Sequence, residues 1–131
     1  MTTSRFELIA LALSVAAPVA AETAVSVPSG QELALYDVVL EAEGRVARFL
    51  FHAPGIVLEG DGLTYADVAD DFAYLCQEIA VPALEANGWT PEEVVVSMAD
   101  RRVEFGEITP EAIQFFEAFT VEDGTCIWRA F

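Results

Sequence analysis

Two adjacent arginines, Arg101 and Arg102, followed two residues later by Glu104, form the most suggestive chemical constellation in this chain. A guanidinium fork holds a carboxylate through paired, charge-assisted N–H bonds. The whole chain has six basic residues against 22 acidic ones, so two arginines side by side stand out. These three residues are the candidate binding set. The competing use is internal, with the arginines neutralising Asp100, Glu104 or Glu107.

Other reactive residue types are sparse. His52 is the single histidine. As a general base or metal ligand it needs a carboxylate, and Asp37 or Glu41 across a hairpin would be in reach; the plainer reading is a strand-end histidine beside solvent. Ser97 lies inside a valine-rich run, a poor place for a nucleophile. No G-x-S-x-G, H-E-x-x-H or glycine-rich phosphate loop occurs. Glu59, Asp61, Asp67, Asp70 and Asp71 hint at calcium but lack EF-hand spacing, and a solvated acidic face explains them more simply. No catalytic residue, metal ligand or cofactor is therefore assigned.

Cys76 and Cys126 are the only cysteines. In an oxidising compartment an even, widely spaced pair reads as a disulfide. Closing a loop of about 50 residues stabilises a fold by roughly 4 kcal/mol in the chain-entropy model.

The N-terminus supplies the compartment. Residues 8–17 are an apolar run, and Pro18-Val19-Ala20-Ala21 ends it in small residues. That layout predicts a signal peptide over residues 1–21 and a single domain over 22–131. The run is shorter than the roughly 20 apolar residues that span a bilayer, so no membrane association is expected after cleavage. The expected location is periplasmic or secreted. The net charge of −16 argues against nucleic acid, which needs a positive surface to release counterions. It admits a basic envelope protein as partner. With 54% hydrophobic residues, including nine Phe, a packed core is available and disorder is not the reason for the charge.

The elements that must position these groups follow from periodicity. Residues 33–41 and 45–52 alternate around Glu43-Gly44 and predict a hairpin. Residues 22–30, small and polar, read as a loose arm. Thr64 with Asp67 opens a helix in which Val68, Phe72, Leu75, Cys76 and Ile79 recur at helical spacing. Pro82 should kink it and Asn87-Gly88 end it. Val94 to Gly106 predicts a second hairpin, with the arginines at its turn. Thr109-Pro110-Glu111 then opens a short helix using Ala112, Ile113, Phe116 and Phe119, and 125–131 is a closing strand. The expected class is α+β, an antiparallel sheet of four to five strands in ββαββαβ order with helices on one face.

The run Val94 to Gly106, with Thr109-Pro110-Glu111-Ala112, Gln114-Phe115-Phe116 and Asp123 to Trp128, resembles an uncharacterised family of small exported proteins from Gram-negative bacteria. A looser echo lies at Ala53-Pro54-Gly55 and Cys76. In such relatives a proline often follows the first turn arginine, where this chain has Arg102. The resemblance implies no activity. The expectation is a non-catalytic periplasmic binding or modulating protein; the alternative is a small hydrolase or other acid–base enzyme of the envelope.

Overall fold

The computed structural model describes residues 22–130. The expected leader, residues 1–21, lies outside the described residues, as does Phe131.

Strand-rich sequence and one long amphipathic run produce a sheet with a helical layer on one face. The strands are β1 (Thr23–Ala24), β2 (Ala34–Glu41), β3 (Val46–His52), β4 (Glu93–Ala99), β5 (Gln114–Glu122) and β6 (Thr125–Arg129). They form one six-stranded sheet in sequence order. The helical layer comprises α1 (Tyr65–Leu75), a wider π turn (Cys76–Ala80) and α2 (Val81–Asn87).

Alternation along the strands decides what each face carries. Ala47, Phe49 and Phe51 of β3, with Val94, Val96 and Met98 of β4, face the helical layer and are fully buried against Val68, Phe72 and Leu75. The intervening residues, including Arg48, Leu50, Ser97 and Ala99, occupy the opposite face.

At the start of α1 the Asp67 carboxylate accepts from the Thr64 N–H at 2.9 Å and its hydroxyl at 3.1 Å, as the spacing predicts. The π turn ends two residues before Pro82, which lacks the N–H an α-helix would use there. Gly88, at φ +68°, closes α2 in the left-handed conformation.

The class is α+β, and the finer arrangement departs from expectation. The sheet is mixed: β3 and β4 run parallel, Val46 beside Glu93 through His52 beside Ala99. The helical layer carries the chain back to the end where β3 began, so β4 must repeat its direction. The other pairings are antiparallel. The element order is ββ, helix, βββ, preceded by the short β1, and not ββαββαβ.

The second hairpin is also different. The return arm of β4 is β5, with Val94 beside Phe119 and Ala99 beside Gln114, not the segment 102–106. Its register places Ile113, Phe115, Phe119 and Val121 against the core. The apolar run permits both periods: Ala112, Ile113, Phe116 and Phe119 fit helical spacing, while Ile113, Phe115, Phe119 and Val121 fit period two. The buried β4 needs a partner along its second edge, and that requirement outweighs the local helical signal. After Thr109-Pro110 only a single turn forms, the Ala112 N–H donating to the Thr109 carbonyl at 3.0 Å.

The arm is fastened rather than loose. β1 pairs with β2, and Ser29 and Gln31 reach the helical layer. There Asp71, fully buried, accepts from the Ser29 N–H at 2.9 Å, the Ser29 hydroxyl at 2.6 Å and the Gln31 amide at 2.8 Å. Asp71 is thus no part of a solvated acidic face. Its three donors replace the water it loses.

Candidate functional site

Because Ala99 and Gln114 are already neighbours, residues 100–113 leave the sheet and return to the place they left. This strap lies over the face that the helical layer leaves uncovered. Its feet are joined: the Asp100 N–H donates to the Ile113 carbonyl at 3.0 Å, and the Ile113 N–H donates to Asp100 Oδ1 at 3.1 Å. Arg101 grips the same carboxylate, Nε to Oδ1 at 3.1 Å and Nη2 to Oδ2 at 3.2 Å. That fork, more than the N–H bonds, holds the Asp100 carboxyl below its ordinary pKa.

The far end of the strap is clamped by a residue that sequence reasoning did not single out. The Tyr36 hydroxyl donates to the Val103 carbonyl and accepts from the Val103 N–H, each at 3.0 Å. Arg102 lies over the Tyr36 ring at 4.8 Å and approaches Glu22 at 3.6 Å. Of the predicted binding set, Arg101 and Arg102 therefore sit at two separate anchor points of the strap, each with an internal partner. Glu104 instead lines a hollow beneath it.

That hollow has a volume of about 200 Å³. Its floor is Leu50, Ser97 and Ala99, with Tyr36 and Arg48 to one side and Gln114 to the other. Val103, Glu104, Phe105 and Glu107 of the strap form its roof and lip. Arg48 binds Glu41 through Nε alone, at 2.6 Å, under the Phe105 ring at 5.7 Å. Among the described residues its two terminal nitrogens, the Ser97 hydroxyl and the Gln114 side-chain amide have no hydrogen-bond partner. The arrangement can bind. It offers donors on the floor, carboxylates on the lip and apolar contact between them.

The period-two pattern of β3 places Arg48 with Leu50 on the outward face. No local signal says that a segment more than 50 positions later covers it, so Arg48, Tyr36 and Gln114 escaped sequence reasoning as site residues.

His52 is elsewhere. Its Nδ1 lies 3.5 Å from Glu22, at the end of β3, in a separate hollow with Glu32 and Pro54. Asp37 and Glu41 are not its partners. Cross-strand register puts it beside Ala34. Among the described residues no three His, Cys, Asp or Glu side chains gather as a metal site.

On the helical side three further polar groups meet. Glu117 accepts hydrogen bonds from the Tyr65 hydroxyl and from Trp128 Nε1, the latter at 2.7 Å. The bond to Glu117, then burial, push the Tyr65 pKa up to about 12. Nearby, Cys76 and Cys126 are joined. Gln77 donates to the Gly124 carbonyl at 2.7 Å and accepts from the Cys126 N–H at 3.0 Å. The π turn thus holds β6 both covalently and by hydrogen bonds.

A family model described as "Family of unknown function (DUF6497)" matches residues 9–131. No curated protein and no solved structure matches the chain.

Proposed function

This chain belongs to that family of unknown function, and we propose that it is a non-catalytic binding protein of the cell envelope. The observation that carries the proposal is the strap hollow. Arg48, Ser97 and Gln114 present unpartnered polar ends into a recess roofed by Val103 to Glu107. On the helical side Asp71 and Gln77 are fully engaged by the fold, while Gln31 Oε1 is buried there without a partner among the described residues. Groups held ready without an internal partner are what a binding site requires.

Export is part of the proposal. It is supported by the apolar leader and by the Cys76–Cys126 pair. Among the described residues no helix is long and apolar enough to cross a membrane. The net charge of −16 supports a basic envelope component as the macromolecular partner. The acid–base enzyme has less support. His52 sits at a strand end with Glu22 3.5 Å away, in a hollow apart from the strap, and Arg101 is engaged with Asp100.

Two measurements test this reading. Intact mass of the protein recovered from the periplasm should lack residues 1–21 and two hydrogens. Affinity capture from an envelope extract should retain a basic protein on the wild type and lose it on Arg48→Ala. Retention on both would remove the strap hollow from the account.

A further inference from the structure

The chemistry lining the strap hollow narrows its occupant, and this inference rests on the binding role proposed above. The one cation lining it, Arg48, is held from the side by Glu41 through Nε at 2.6 Å, so its position is fixed while its outer edge, the two terminal nitrogens, stays open. A guanidinium edge of that kind is a carboxylate receptor. Ser97 and Gln114 add neutral donors on the same floor. A simple anion nevertheless suits the site badly. Glu104 and Glu107 line the lip, and the chain carries a net charge of −16, so a free anion meets repulsion on approach. A simple cation suits it badly as well, since it would leave the Arg48 edge unmatched.

A molecule with one charge of each sign matches both ends. Its carboxylate faces Arg48, Ser97 and Gln114, and its ammonium faces Glu104 and Glu107. Between these ends the walls are Leu50, Ala99, Val103 and Phe105, which take a small apolar side chain. The volume of about 200 Å³ falls below the roughly 300–1,000 Å³ typical of pockets for drug-sized ligands. We propose that the strap hollow binds a small aliphatic α-amino acid as its zwitterion, with Arg48 reading the carboxylate and Glu104 and Glu107 reading the ammonium.

The test titrates the disulfide-bonded protein with leucine, leucine methyl ester and N-acetylleucine, following backbone amide resonances of Ala99, Val103 and Gln114. Leucine should give saturable shifts, and each derivative, having lost one charge, should bind at least about tenfold more weakly. Arg48→Gln should abolish the preference for leucine over its ester. Glu104→Gln with Glu107→Gln changes only exposed side chains and should leave the fold intact. In that variant leucine and N-acetylleucine should bind equally. No shift at these amides with leucine, or equal binding of all three probes to the wild type, would overturn the ligand class. Capture of a basic envelope protein that still depended on Arg48 would then leave the binding role standing. Saturable leucine binding with capture indifferent to Arg48→Ala would separate the two in the opposite direction.

Discussion

The two faces of the sheet use polar side chains in opposite ways. On the helical side Asp71 accepts three hydrogen bonds in full burial, and Gln77 uses both ends of its amide on the β5–β6 segment. The disulfide lies beside it. On the strap side Tyr36 and Asp100 fasten two points of a 14-residue excursion, and Arg48, Ser97 and Gln114 beneath it have open polar ends. Polar groups that hold a core together must be satisfied by the protein itself, because water is excluded and an orphan costs about 1–3 kcal/mol. Polar groups that meet a ligand must be unsatisfied until it arrives. The helical side is therefore where stability should be sensitive, and the strap side is where binding should be.

The largest expected break falls on the helical side. Replacing both Cys76 and Cys126 by alanine should lower unfolding free energy by roughly 4 kcal/mol, from the lost constraint on the unfolded chain, measured by urea denaturation. Asp71→Asn retains one acceptor and introduces a donor among donors. It should cost about 2–3 kcal/mol by the same measurement. Gln77→Ala removes two bonds at a partly buried site and should cost about 1–2 kcal/mol. Any of these leaving stability unchanged would erase the contrast between the faces.

On the strap side the effects should be smaller and local. Tyr36→Phe removes both hydrogen bonds to Val103. It should speed hydrogen exchange at the Val103 amide while costing the whole fold only about 1 kcal/mol. A cost as large as that of Asp71→Asn would mean that the strap is part of the core.

Acid should loosen the foot of the strap. Asp100 has its folded pKa lowered by Arg101. Its stabilising contribution is present above the unfolded value, near 3.8, and is lost as pH falls through the lower folded value. Exchange at Ile113 should rise in that window. At the other extreme, Tyr65 has its folded pKa raised to about 12. Its contribution is complete below the unfolded value of about 10 and is lost as pH rises through 12. Tyrosinate absorbance should follow that order.

Much of this architecture was legible in local pattern. Alternation around Glu43-Gly44 marked the first hairpin, Thr64 with Asp67 marked the helix start, and Pro82 marked its irregularity. Two of the features that misled are instructive. The residues Ala112, Ile113, Phe116 and Phe119 fit a helix as well as a strand. Asp71, spaced among other acids, looked solvated. In each case the deciding contact is distant: β4 for the first, Ser29 and Gln31 for the second.

The sequence by itself determined the outline: an α+β domain with a strongly acidic surface and two cysteines able to meet. Those follow from composition and short-range periodicity, which act within a few residues. Only the tertiary structure decided that β4 runs parallel to β3, that Asp71 is buried, and that residues 100–113 roof a hollow floored by Leu50, Ser97 and Ala99. Each brings together at least one pair of segments about 40 or more positions apart, where the outcome depends on which buried edge, charge or donor is left unmatched once the whole chain has folded.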